Sequence, residues 1–177
     1  MPPAMIFLID MAVSYVAWGL CVVNYVWPRL KGMDRVEAQR AIATLHGFRF
    51  FGLVFLLPGF VGAELPAAWA TPAAYGDLAT GLLAILALLT VRVRPVFWPL
   101  AWAFNLVGAA DIIMATARSV RMGLPEISGQ LGAAYLIVIL YVPLLLITHG
   151  VAFYLLLRPA QATARSAGAE LARASTP

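Results

Sequence analysis

Charge is what this chain has least of. Only 11% of its residues are charged while 63% are hydrophobic, a balance far from that of a soluble domain. A soluble chain of 177 residues would need a charged shell around its core, whereas here lipid must cover apolar surface. A single cysteine, Cys21, leaves no intrachain disulfide and no thiolate-built metal centre. The formal charge of +4 comes without an arginine-rich arm, because the basic residues bracket apolar runs, and this excludes nucleic acid as a partner. Also missing are a phosphate-cradling glycine loop, a serine–histidine–acid order and a histidine pair at i, i+4. No repeat of fixed period is present, and an odd number of spans argues against two complete inverted transporter halves.

What is present is a series of apolar runs of about 20 residues, the length that crosses a bilayer as a helix. These predict an all-α polytopic bundle of five spans at about 5–27, 42–63, 73–91, 96–117 and 132–157. Residues 1–158 then form one transmembrane domain and 159–177 a flexible cytoplasmic tail, rich in alanine and arginine and without a long apolar face. Alternating the connections puts Arg29, Lys31, Arg35, Arg40, Arg92, Arg94, Arg158, Arg165 and Arg173 on one side, against Arg118 and Arg121 on the other. By the positive-inside rule the N-terminus faces out and the C-terminus in. The first run carries Asp10 and is followed by a basic stretch, so it reads as an anchor rather than a cleaved signal. Trp27 and Trp98 mark the inner interface, Trp69 and Tyr75 the outer one. MDRVEAQRAIATLHGF reads as a short amphipathic connector at the inner surface, and AELPAAWATP as an apolar hairpin lying in the interface.

The stretch LHGFRFFGLVFLLPG places His46 and Arg49 inside a span. Arg49 lies nine residues past Arg40, and His149 nine before Arg158. At about 1.5 Å per residue both are roughly 13 Å in from the same side. Asn105, eleven residues past Arg94, falls near that level. His46, Arg49, Asn105 and His149 therefore form a predicted inner polar layer and the candidate ligand-binding residues. Asp10, Glu64, Asp77 and Asp111 form a separate outer layer of acids. Asp77, Thr80, Gly81 and Ala84 share one helix face, as do Asn105, Gly108 and Asp111, and a stripe of Asp10, Ser14, Ala17, Cys21 and Asn24 runs down the first span. Facing lipid, a charge at mid-membrane costs at least about 2.5 kcal/mol, so these faces should turn inward. Pro143 frees a carbonyl near Ile139 if its helix kinks, and Pro58 does likewise in the second span.

Three readings follow, beside the plain one in which buried polar groups pin helix packing at roughly 0.6 kcal/mol each. The first is binding of a lipophilic molecule, a quinone, isoprenoid or membrane lipid, its head held by Arg49, Asn105 and His149 and its body by Phe48, Phe50, Trp102 and Phe104. The second is a membrane isomerase or cyclase in which Asp77 or Asp111 is the general acid and catalytic residue. The third is a b-type haem ligated by His46 and His149, although their depths differ by about 4 to 5 Å. No metal site is proposed, and composition leaves the cofactor unknown.

The run TPAAYGDLATGLLAILAL resembles the segment of DoxX-like small membrane proteins in which a Pro-Ala-Ala-Tyr-Gly-acid turn opens a helix. HGFRFFG, LPAAWATPAAYGD, FNLVGAAD and VPLLLITHG together resemble small bacterial multi-pass proteins over about half the chain. The chain departs from the four-span DoxX-like plan by an extra helix and by aspartate at position 77. The resemblance implies a helical bundle, associated in some members with membrane redox complexes and quinones; beside it, the expected place of the chain is the bacterial cytoplasmic (inner) membrane, as a complex subunit or homo-oligomer. It implies no catalytic residues.

Overall fold

The computed structural model describes residues 1–158; the predicted tail at 159–177 lies outside them. The described residues form helices joined by short turns, with no strand. Four helices are long and apolar enough to cross a membrane: α1 at Pro3–Gly32, α3 at Ala67–Leu89, α4 at Arg94–Arg121 and α5 at Ile137–Leu157. Between the first two lies α2, Arg35–His46, which continues without a break as a 3₁₀ segment, Gly47–Leu56. The ends of α1 and α5 carrying Arg29 and Arg158 meet the start of α2, where Arg35 Nη2 donates to Leu156 O at 2.6 Å and Arg158 Nη1 to Lys31 O at 3.5 Å. We call this the basic end.

α2 departs from its predicted role. Asp34 caps it, its carboxylate accepting from Val36 N at 2.8 Å and Glu37 N at 3.1 Å. The helix then buries Val36, Ala38, Gln39, Ile42, Ala43 and His46 against the bundle, so it is an integral element and not a solvated connector. At the far end the chain turns at Leu57, short of the predicted limit at 63, because Pro58 cannot continue a helix and Gly59 adopts φ +82°. Pro58 thus ends its element where a kink was expected. The predicted interfacial hairpin is also partly helix: α3 starts at Ala67, and Trp69 is buried, donating to Ala115 O at 3.0 Å. Trp69 is therefore a core residue and not part of an aromatic belt, whereas Tyr75 is exposed.

Pro143 acts close to where expected. The first turn of α5, Ile137–Tyr141, is π-helical, and Leu140 O accepts from Trp18 Nε1 of α1 at 2.8 Å. The stripe on α1 is only partly inward. Ser14 is buried and Asp10 accepts from Tyr135 Oη at 2.7 Å, but Ala17 and Asn24 face outward and Asn24 donates to its own helix at Leu20 O.

Two apolar clusters hold the bundle. One, away from the basic end, joins Phe7, Phe55, Trp69, Ala73, Leu124 and Leu131; the other joins Leu30, Ile42, Ala84, Phe97, Phe104 and Leu155. Along α3 the stretch between Ala74 and Ala84 contains Asp77 and Thr80, and along α4 the stretch beyond Phe104 contains Asn105, Gly108 and Asp111. The polar groups therefore lie sandwiched between two greasy layers.

Candidate functional site

A change of helix type positions the central residue. In a 3₁₀ helix, side chains three apart eclipse one another. His46, Arg49, Gly52 and Phe55 follow that spacing and are all buried, while Phe48, Phe50 and Phe51 point outward at 49%, 43% and 46% exposure. Phe48 and Phe50 thus do not line a pocket; Phe104 is fully buried, but against the histidines. Tyr141 Oη donates to Leu45 O at 2.7 Å, occupying a carbonyl where the helix changes type.

Arg49 is the largest of the fully buried side chains. Its Nε donates to Asp77 Oδ1 at 2.7 Å and its Nη2 to Asp111 Oδ2 at 2.7 Å. Its Nη1 lies 3.3 Å from His149 Nε2. Arginine keeps its proton, so His149 must accept through Nε2 and carry its hydrogen on Nδ1. That Nδ1 is 2.9 Å from Asn105 Oδ1, an acceptor, which fixes the amide's orientation as well. Asn105 Nδ2 in turn donates to Ala101 O at 2.8 Å and to Gln39 Oε1 at 3.4 Å, and Gln39 Nε2 donates to Ala152 O at 2.9 Å. The result is a chain of donors running one way from Arg49 toward the basic end.

The two predicted layers are therefore one network. Arg49, Asp77, Asp111, Asn105 and His149 meet, whereas Asp10 pairs with Tyr135 and Glu64 with Gln130, apart from the rest. His46 is a neighbour rather than a member: its Nε2 is 3.1 Å from Thr148 Oγ1, and its Nδ1 is buried without a partner among the described residues. The Thr148 hydroxyl already donates to Leu144 O or Leu145 O, so His46 Nε2 is the donor to it. The haem reading does not fit. The His46 and His149 rings stack with centroids 4.0 Å apart and each Nε2 is engaged, which leaves no space for a macrocycle between them.

Glycines make room for the network. A Cβ on Gly108 would come within 2.5 Å of His149 Nε2 and 2.6 Å of both Arg49 Nη1 and Thr80 Cγ2. One on Gly52 would strike the Asp77 carboxylate, and one on Gly76 the Asp111 carboxylate. Each ionic group thus lies directly against a bare backbone. The sequence reading missed Gln39, Gly52 and Gly76. Two signals were available: the spacing of three from His46 to Phe55, and the helical spacing that puts Gln39, Ile42, Ala43 and His46 on one face.

On the side of Arg49 away from His149 is a cavity of about 180 Å³. Phe7, Met11, Phe55, Trp69, Ile112 and Val138 are among its walls, Arg49, Asp77 and Asp111 supply its charged groups, and Tyr15, Thr116 and Ser119 add hydroxyls. His46, Asn105 and His149 do not line it. The volume exceeds the roughly 150 Å³ of an engineered apolar cavity that takes benzene, so it accepts at least a ring-sized group. Among the described residues no set of three or more His, Cys, Asp and Glu is placed to hold a metal ion.

Residues 6–157 match the family model described as Domain of unknown function (DUF8737). The chain belongs to the DUF8737 family. The match takes in α1 from residue 6 onward, the other three long helices, α2 and every residue of the polar network, so the network sits within the family domain. No curated protein and no solved structure matches the chain.

Proposed function

We propose that this DUF8737 protein binds a lipophilic small molecule within the membrane, its polar head against the Arg49–Asp77–Asp111 triad. The observation that carries this reading is the cavity itself: largely apolar walls of ring-sized volume converging on three ionisable side chains, Arg49 and Asp111 buried and Asp77 partly so. His149, Asn105 and Gln39 then support the site from behind, where the sequence had placed His149 and Asn105 in contact with the ligand. The resemblance to DoxX-like proteins adds quinones to the candidate ligands.

Five spans in a bacterial inner membrane, N-terminus out, belong to the same proposal. α2 with its 3₁₀ continuation is about 38 Å long by the rises of the two helix types, enough for a hydrocarbon core of about 30 Å. The excess of arginine at the basic end favours placing that end in the cytoplasm. Lipid, a complex partner or a second copy would cover the outward apolar face of α1, which includes Leu8, Val13, Val16 and Leu20.

A second reading shares the site: because Asp77 and Asp111 both line the cavity, they are placed to exchange protons with a bound molecule, as an isomerase or cyclase requires. One experiment separates binding from none. A native mass spectrum of protein extracted gently from its own membranes is expected to show a stoichiometric adduct that disappears in Ala115→Phe, which fills the cavity. An adduct that survives that substitution removes the cavity from consideration. Turnover of the adduct that is abolished by Asp77→Asn or Asp111→Asn would favour the enzyme.

A further inference from the structure

The atoms offered to the cavity are not those that the charge of Arg49 would suggest. The Arg49 side chain has no exposed surface, whereas those of Asp77 and Asp111 keep 16% and 9%. Each carboxylate gives one oxygen to the guanidinium, Asp77 Oδ1 and Asp111 Oδ2. Asp77 Oδ2 and Asp111 Oδ1 accept no hydrogen bond among the described residues, yet neither is sealed in as a buried unpaired atom. Asp77 Oδ2 packs beside Gly52 and Asp111 Oδ1 beside Gly76, but the side-chain surface left to a molecule entering the cavity belongs to the two carboxylates, with the guanidinium behind them.

This selects the ligand's head by chemistry. A quinone carbonyl has only acceptors to offer: the hydroxyls of Tyr15, Thr116 and Ser119 also line the cavity, but the two free carboxylate oxygens would gain no donor from it; a phosphate or carboxylate head would face two carboxylates. Hydroxyl and ammonium groups can both donate, and formal charge distinguishes them. With both acids ionised, one guanidinium against two carboxylates sums to −1, and no other lysine, arginine or histidine lines the cavity. A single positive charge would balance the site in surroundings where an unbalanced charge is costly. The walls agree, because Phe7, Tyr15, Phe55 and Trp69 present aromatic rings to the same space, and aromatic rings attract ammonium ions. Phe55 and Trp69 pack edge to face, centroids 5.1 Å apart, which keeps that wall rigid.

Building on the proposed binding site, we infer that its ligand is a lipophilic amine, held as the ammonium ion by Asp77 Oδ2 and Asp111 Oδ1. The ring-sized volume takes the head and the first part of an apolar body, and any longer tail runs out between the helices. The test uses three probes of one shape, phenylbutylamine, phenylbutanol and phenylbutyrate, titrated calorimetrically into the full chain in lipid nanodiscs. The amine is expected to saturate and to bind at least about tenfold tighter than the alcohol, the difference a charge-assisted hydrogen bond supplies, with no heat from the acid. Asp111→Asn, which keeps the side chain's shape, should erase most of that preference, and Ala115→Phe should abolish binding while circular dichroism shows the helices intact. If the alcohol or the acid binds as tightly as the amine and Ala115→Phe still blocks it, the cavity reading stands and the amine inference falls. Silence from all three probes overturns both.

Discussion

Arg49 has two sides, and they are built to opposite rules. Toward the basic end, every polar side-chain atom of His149, Asn105 and Gln39 has a partner, and none of the three lines the cavity. Toward the other end, Asp77 and Asp111 each commit one oxygen and leave the second free beside a cavity. A saturated network has nothing left to offer a ligand, while a half-used carboxylate does. The same guanidinium thus fixes a scaffold and presents a binding surface, and substitutions on its two sides should be read out differently, as stability on one and as affinity on the other.

The hardest blow to this comparison is Arg49→Met, because it removes the group the two sides share. It leaves two buried carboxylates without their cation, and breaking a buried pair in this way costs about 3–5 kcal/mol. Thermal unfolding in mild detergent should show that loss; a change below about 1 kcal/mol would mean that the triad is not what holds the middle of the bundle. Next comes Gly108→Ala. Its methyl group would displace His149, Arg49 and Thr80 together, at about 3 kcal/mol, the upper end for overpacking. That variant should also weaken ligand binding, since the shift passes through Arg49 to the carboxylates. Stability unchanged in Gly108→Ala would show that the network can slide, and the argument from close glycine contact would fail.

Four long helices were legible because lipid imposes length and apolarity directly on sequence. α2 was legible only in two pieces, an amphipathic connector and a second span at 42–63, because its first half is polar and its continuation apolar. The helical spacing of Gln39, Ile42, Ala43 and His46 marks the face that it buries, but the partners from α4 and α5 that meet Gln39 and His46 there are set by the fold and by no local pattern. The candidate residues were found by the cost of burying charge, and that reasoning located Arg49, Asp77, Asp111, Asn105 and His149. It divided them wrongly into layers because depth was counted at 1.5 Å per residue along separate helices. The 3₁₀ segment rises about 2 Å per residue and the long arginine side chain spans the remaining gap. Phe48 and Phe50 were misplaced for the same reason: with three residues per turn they fall on the outer faces.

The finest contrast lies within the sealed side, between two histidines in contact. His149→Leu strands Arg49 Nη1 and Asn105 Oδ1 without partners, and should cost about 2 kcal/mol, as unsatisfied buried groups do. His46→Leu should behave oppositely. It gives up one hydrogen bond, to Thr148 Oγ1, worth about 1 kcal/mol, but leaves no donor stranded because that hydroxyl already donates to a backbone carbonyl. It also removes Nδ1, a buried acceptor that nothing in the described residues satisfies. The two terms nearly cancel, so the unfolding midpoint of His46→Leu should stay close to that of the parent while His149→Leu falls clearly below it. Equal losses would place His46 inside the network, and the line between scaffold and bystander would have to be redrawn through Thr148.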